Sequence, residues 1–362
     1  MSNEDTNAVV GALLRDLAAA QPSKRAGFGY KRAANAVLNL DRPIESLVES
    51  DGSLRKIPHV GPKSEEVIRE VLSSGGSPTV ERAVQRSERA AELEKARTLR
   101  EHFLSRARVV AALNSNMAHA PAVADYHGDL QVHSTWSDGS QTLEELAEAS
   151  LARGYQFCGI TDHSYGLPIA HGVSMADLAE QHREIDLLNR RYRGRFRLIK
   201  GIEANIRSDG SIDMTPDELA TLELVVAAPH STLRSAADQT SRMVAAVRTR
   251  GVHILGHPRG RLYGKRPGVH ATWRHVFEAA AEAGVAIEID GDPWRQDVDY
   301  SLARRALSAG CVFALDSDAH SPPELRGAET AIAHARLAGI PRQRVINCWD
   351  TDRLLAWLSE RA

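Results

Sequence analysis

The chain has 362 residues, 43% hydrophobic and 25% charged, with a formal net charge of −2. That length predicts about two domains, and the ordinary globular composition excludes global disorder, collagen and a coiled-coil rod. The near-zero charge excludes an overall basic field for nucleic acid, and the three scattered cysteines, Cys158, Cys311 and Cys348, form neither a disulfide framework nor a cysteine zinc site.

From the N-terminus, Met1-Ser-Asn-Glu-Asp5 is acidic and opens no cleavable apolar core. No run reaches the roughly 18 apolar residues that a membrane span needs. With the cysteines reduced, a cytoplasmic location and no membrane partner are expected. Residues 1–80 read as short helices: Asn7 to Ala20, Tyr30 to Leu40, and Ser64 to Leu72 after the turn Ile57-Pro58-His59-Val60-Gly61-Pro62-Lys63. Ser73-Ser-Gly-Gly-Ser-Pro78 stops the third. Residues 81–125 read as a charged helical linker: one helix to about residue 112, with eight Lys/Arg against five Asp/Glu, then a loop.

From residue 126 to 362 short apolar runs alternate with helical segments. The runs are Leu130–His133, Phe157–Thr161, Phe196–Ile202, Leu224–Ala228, His253–Gly256, Val285–Ile289 and Val312–Leu315. Helices are expected over Thr142–Arg153, Met175–Arg191, Ser235–Arg250, Thr272–Ala283, Ser301–Ser308 and Thr351–Arg361. Such alternation predicts an α/β fold with a covered parallel sheet. About seven units suit a barrel, and the pattern alone leaves a doubly wound open sheet as the alternative.

Six of the seven runs end in a metal-competent residue. The segments are Gln131-Val132-His133 with Asp138 following, Thr161-Asp162-His163, Gly201-Ile202-Glu203, Pro229-His230, Gly256-His257-Pro258 and Asp318-Ala319-His320. In a parallel barrel these ends share one face. Imidazoles and carboxylates without cysteine suit Mn, Zn or Fe. The set exceeds the four ligands one zinc takes, which implies two or three divalent ions sharing a carboxylate. His253, inside a strand, reads as a core histidine.

These motifs resemble the PHP (polymerase and histidinol phosphatase) domain over residues 128–345. The resemblance implies a distorted (β/α)7 barrel with a three-metal phosphoesterase centre and a metal-activated hydroxide as nucleophile. It groups His133, Glu203 and Asp318 on one ion. Glu203, His230 and His257 take a second, and Asp138, His163 and His320 a third. Gln131 stands where the family has a histidine, and its neutral amide oxygen is a weaker ligand than imidazole. The stretch Gly256-His257-Pro258-Arg259-Gly260-Arg261 resembles the family's GHPxGR, which casts Arg259 and Arg261, beside catalytic Glu203, as cations for substrate phosphate. Arg295 is a weaker candidate of that kind, Asp162 is expected to orient ligand imidazoles, and Trp136 and Tyr165 read as rim residues.

Residues 1–80 resemble the small helix-hairpin-helix domain that opens family X DNA polymerases, through Gly29–Ala34 and Leu54–Lys63. That places Pro58, Val60, Gly61 and Lys63 at a DNA phosphate. His59 replaces the usual first hairpin glycine, and Val67 stands where the lyase lysine would be, so lyase activity is not expected. Only about 45 residues separate the two parts, too few for a polymerase palm. The expected activity is metal-dependent phosphate-ester hydrolysis, with DNA ends as substrate (3′→5′ exonuclease or 3′-end phosphatase) and no polymerisation. The alternative is a small-molecule phosphatase acting on phosphate monoesters, and a third reading is a non-catalytic DNA-binding scaffold.

Overall fold

The computed structural model describes residues 5–361. The chain divides into two compact units. One runs to Ser115 and includes Tyr263–Lys265; the other comprises Asn116–Leu262 and the residues from Arg266 onward. No helix among the described residues is long and apolar enough to cross a membrane.

The first unit is helical. It contains α1 (Thr6–Ala19), α2 (Lys24–Leu38), α3 (Pro62–Ser74), α4 (Pro78–Gln85), α5 (Ala90–Thr98) and α6 (Arg106–Leu113). Polar caps set several starts: the Asp5 carboxylate accepts from the Ala8 amide, and Ser77 from that of Val80. Val10, Leu14, Ala33, Val37, Val67 and Ile68 are fully buried in one core with Val80, Val84 and Leu93. The stretch that reads as one linking helix is therefore three helices, two of them packed into this core. The charge pattern misleads because part of it is buried: Arg97 and Arg100 reach Asp16 of α1 at 2.7 and 2.6 Å, and Asp16 is only 1% exposed. Ahead of the hairpin turn lie the 3-10 turn Ile44–Leu47 and a bridge between Val48 and Leu54, and α3 follows it directly. Asp51-Gly52-Ser53 makes that bend, with Gly52 at φ 79°.

The second unit is a parallel α/β barrel. Its strands are β1 (Gly128–Val132), β2 (Phe157–Ile160), β3 (Arg197–Asn205), β4 (Leu224–Ala228), β5 (Ile254–Leu255), β6 (Ala286–Asp290) and β7 (Phe313–Asp316). Its helices are α7 (Leu143–Ala152), α8 (Met175–Arg191), α9 (Pro216–Leu219), α10 (Thr240–Arg248), α11 (Trp273–Ala283), α12 (Tyr300–Ser308), α13 (Gly327–Ala338) and α14 (Thr351–Ser359). The strands pair in parallel in the order β1 to β7. Closure runs through the segment after β7: Val132 bridges Ala319, and the His133 amide donates to the Ala319 carbonyl at 2.9 Å. Distortion is local, as a register shift between Asp129 and Val132 and as the two-residue β5. Near-continuous apolar strands follow from burial on both faces.

The barrel therefore resolves the choice between closed and open sheet in favour of closure. Every C-terminal strand end lies at one mouth, where the loops carry the polar motifs. Gly291, just past β6, has room for no side chain: a Cβ there would sit 2.0 Å from the Gly327 carbonyl oxygen. Gly291→Ala should destabilise the fold by about 1–3 kcal/mol, the usual cost of overpacking. A lowered midpoint of chemical unfolding checks this, and an unchanged midpoint would mean the β6 loop yields without cost.

Candidate metal centre

Glu203, near the end of β3, is fully buried at the barrel mouth. Its two oxygens face different imidazoles. Oε2 lies 2.8 Å from His163 Nδ1 and 3.6 Å from His133 Nε2. Oε1 lies 2.8 Å from His257 Nε2 and 3.4 Å from His230 Nε2. A second carboxylate, Asp318, approaches His133 Nε2 at 3.1 Å. A third, Asp138, lies 3.4 Å from His320 Nε2, 3.6 Å from His163 Nε2 and 3.9 Å from His133 Nδ1. The rings are in contact: His133 stacks on His320 at 4.2 Å between centroids, and His230 meets His257 at 5.2 Å.

Three groups emerge, each with one candidate ligand atom per residue lying within 4.8 Å of the others: His133, Glu203 and Asp318; His163, Glu203 and His230; and His133, Asp138, His163 and His320. These groups draw on five strand ends; His257, from a sixth, meets Glu203 at 2.8 Å but falls in none of them, and His163 rather than His257 joins Glu203 and His230. Gln131 is beside them, its amide 3.4 Å from Asp318 Oδ1. Divalent ions suit this donor set. Gln131 Oε1, His133 Nδ1 and His257 Nδ1 are buried without a hydrogen-bond partner among the described residues, and so many touching imidazoles with carboxylates match borderline metals.

Local backbone serves the ligands. His257 and Asp318 take φ of 21° and 53°, in the left-handed region where non-glycine residues are strained. The His230 Nδ1 pairs with Asn205 Oδ1 at 2.6 Å, and His320 Nδ1 with the Asp318 carbonyl at 2.8 Å. Asp162 does not orient imidazoles, contrary to the sequence reading. It accepts from the Ser134 amide, the Ser134 and Ser137 hydroxyls and the Gln181 amide, so it ties down the loop after β1.

Sequence reasoning noted Asp129 only as a neighbour able to compensate for Gln131 and missed the layer of carboxyl groups it belongs to inside the barrel. Asp129, Glu288, Asp290 and Asp316 are fully buried. Burial raises all four: Asp129 to about 6, Asp316 to about 8, and Glu288 and Asp290 well above their ordinary values. Three of them hold backbone beside the ligand segments. Glu288 accepts from the His257 amide, Asp316 from that of Leu130 at 2.8 Å, and Asp129 from those of Gln131 and Ser317 at 3.2 Å. The available signal was Ala286-Ile-Glu-Ile-Asp290, acids at alternate positions of an otherwise apolar strand.

The cations differ from expectation. Arg259 does not face the centre: its guanidinium binds Asp297 at 2.9 Å and Asp299 at 2.6 Å. Arg261 binds Asp299 at 3.3 Å and donates to the carbonyls of Arg295 and Gln296 at 2.9 and 2.7 Å. Both forks are spent on the loop after β6. That loop presents Arg295, whose Nη1 lies 3.1 Å from Asp318 Oδ2. Trp136 donates to Glu184 at 3.2 Å and Tyr165 to Glu218 at 3.0 Å, consistent with rim packing. His253 is a core residue, taking the Val225 amide and facing the Leu358 carbonyl, both at 3.0 Å.

In the helical unit, Pro58, Gly61 and Lys63 are exposed and Val60 is half-buried. Gly61 precedes the first turn of α3. Lys63 pairs with Glu66 at 2.8 Å. His59 adopts φ 67°, so it takes the backbone conformation usually left to glycine, with its ring 2.6 Å from Arg32 Nη2.

A closed parallel barrel whose strand ends pool imidazoles and carboxylates around one buried glutamate offers sites for divalent metal ions. No family model matches the chain. It is 35% identical over 232 residues to the DNA polymerase/3′-5′ exonuclease PolX of Bacillus subtilis (strain 168), covering 64% of this chain and 40% of that one. The chain thus spans two fifths of that relative's length. It is 27% identical over 248 residues to the probable phosphatase YcdX of Escherichia coli O81 (strain ED1a), covering 65% of this chain and 95% of that protein. Among solved structures, the histidinol phosphate phosphatase of Lactococcus lactis subsp. lactis Il1403, with zinc, L-histidinol and phosphate, aligns over 58% of this chain and 94% of its own, at 16% identity and a TM-score of 0.43. The chain thus combines this pattern at the strand ends with sequence similarity to PolX and to YcdX.

The bridge and the proton balance are both measurable. Glu203→Gln should hold at least one ion fewer per chain after loading with excess Mn, read by elemental mass spectrometry; equal content would remove Glu203 from a bridging position. Burial, the largest influence on His320, lowers it, but Asp138 and Asp318 together outweigh this and push it up to about 10. Its proton must leave for an ion to enter, so ion affinity should rise between about pH 6 and 9 with proton release on binding. Calorimetry in buffers of different ionisation enthalpy checks the release.

Proposed function

We propose that the protein is a metal-dependent phosphoester hydrolase acting on DNA ends, as a 3′→5′ exonuclease or 3′-end phosphatase. The observation that carries this reading is the buried Glu203 carboxylate, each oxygen turned to separate imidazoles, a placement from which it could be shared between two ions. His133, Glu203 and Asp318, with Gln131 alongside, would hold one ion; Glu203, His230 and His257 a second; Asp138, His163 and His320 a third. Bound there, divalent ions polarise a phosphoryl oxygen and acidify water for attack on phosphorus. Mn, Zn or Fe all suit the donors.

The protein's own groups do the rest. Arg295, at the edge of the cluster, would neutralise a non-bridging phosphate oxygen and hold the ester in place. Arg261 positions it by gripping the Arg295 and Gln296 carbonyls. Arg259 and Arg261 are therefore positioning residues rather than substrate contacts. Glu203 is kept ionised by His163 and His230, although burial, the largest influence, opposes it.

DNA is favoured by the helical unit, where Gly61 and Lys63 open α3 at an exposed turn. Between α3 and β1 lie only α4 to α6 and short turns, with no strand among the described residues to build a palm, so no nucleotide incorporation is expected. A second reading, a phosphatase for small monoesters, is favoured by the match across 95% of YcdX. All three cysteines are free thiols, which fits the reducing cytoplasm.

Purified protein with Mn, a 5′-labelled single-stranded oligonucleotide and a panel of small phosphate monoesters separate the readings. Stepwise shortening or 3′-phosphate removal is expected. The double variant His257→Ala, His320→Ala should lose more than about 100-fold, beyond the upper range for losing a ligand's supporting partner. Monoester hydrolysis alone would establish the second reading, and no turnover with any metal would overturn both in favour of a scaffold.

A further inference from the structure

The stretch from the last turn of α8 to the first residue of β3 carries five arginines in eight residues: Arg190, Arg191, Arg193, Arg195 and Arg197. A chain with net charge −2 has no general reason for such a concentration. Tyr192 and Phe196 anchor the segment from inside, both buried at 5% exposure with rings 6.3 Å apart. Two of the arginines are committed to carboxylates, Arg191 to Glu144 and Arg197 to Glu223. Arg195 lies over the Tyr192 ring at 5.7 Å, an arrangement that leaves its N–H groups available. Among the described residues Arg193 and Arg195 have no carboxylate partner.

Arg193, Arg195 and Arg197 line one concavity of about 420 Å³, together with Gln156, Leu355 and a single acid, Asp352. Three guanidinium groups around one cleft, with Glu223 matched to one and Asp352 the only acid in the lining, leave an excess of positive charge. Guanidinium forks match phosphate oxygens in pairs. The volume lies in the range of small-ligand sites, about 300–1,000 Å³. Leu355 and the edge of Phe196 add an apolar side against which a sugar or base could lie.

The cleft is not part of the metal centre. Gln156 immediately precedes β2 and Arg197 opens β3, so it sits at the N-terminal ends of the strands. Glu203 lies six residues further along β3, roughly 20 Å away at about 3.3 Å per residue.

We infer that this arginine-lined cleft is a second binding site, for a phosphate-bearing ligand, at the end of the barrel opposite the metal centre. A phosphodiester strand and a free nucleotide share that chemistry, and the experiment distinguishes them. The full-length protein and its Arg193→Gln, Arg195→Gln variant are compared with two probes. One is a fluorescein-labelled single-stranded oligonucleotide, followed by anisotropy over a salt series; the other is ATP without added metal, followed by calorimetry.

Neutralising both arginines should weaken binding of at least one probe by 10-fold or more. For the strand, the slope of log affinity against log salt should also fall by about 1.4, at about 0.7 per phosphate contact. Loss confined to the oligonucleotide assigns the cleft to a strand, and loss confined to ATP to a nucleotide. Thermal midpoint and metal content should stay those of the parent, which separates the effect from unfolding and from the metal centre. Parent affinity for both probes in the variant, or no binding of either probe by the parent, would overturn the site. If the double substitution unfolds the protein, Arg193→Gln alone, at a residue with no carboxylate partner to lose, repeats the test.

Discussion

A carboxylate with no access to water must be surrounded by groups that stabilise its charge, and Glu203 is such a carboxylate. At 0% exposure it is fully enclosed, and the imidazoles of His133, His163, His230 and His257 are what encloses it. Those four rings come from β1, β2, β4 and β5, so the burial of one side chain demands that the strand ends converge. An open sheet does not supply that convergence; a closed barrel does. The seven-stranded order and its closure through Ala319 are thus the frame that a single buried charge requires.

Polar groups inside the barrel extend this logic. Asp129, Glu288 and Asp316 would be costly in an apolar core, yet each accepts backbone N–H groups beside the ligand segments. They fix the backbone of the segments that carry the clustered imidazoles and carboxylates. His257 and Asp318 sit at positive φ, and such strain persists only where surroundings over-determine it. The cost of the buried acids and of the strained backbone is met by the same network.

The arginines show how a motif and its role separate. Arg259 and Arg261 lie directly after a ligand, and chain proximity casts them as substrate contacts. Asp297 and Asp299, some forty residues on, claim their guanidinium forks instead. The residue left facing the cluster is Arg295, held there by Arg261 through two carbonyl groups. A bidentate cation goes to the nearest buried carboxylate, and which carboxylate is nearest depends on loops meeting in three dimensions.

Much was legible in the sequence because it rests on local regularities. Strand and helix alternation set the α/β class, since apolar runs and 3.6-residue periodicity are written along the chain. The convergence of His163, Glu203 and His257 could be read because each ends an apolar run, and parallel strands put their ends on one face. Helix α13 was not legible: ten of its twelve residues are buried, so it lacks the polar face that makes a helix periodic. Nor was the fate of residues 81–113, where arginines that look solvated pair with buried Asp16. The bridging geometry of Glu203, the inner carboxylates and the exchange of Arg259 and Arg261 for Arg295 were decided only by tertiary structure. Each depends on distances between residues remote in the chain, and sequence fixes residue order, whereas packing fixes those distances.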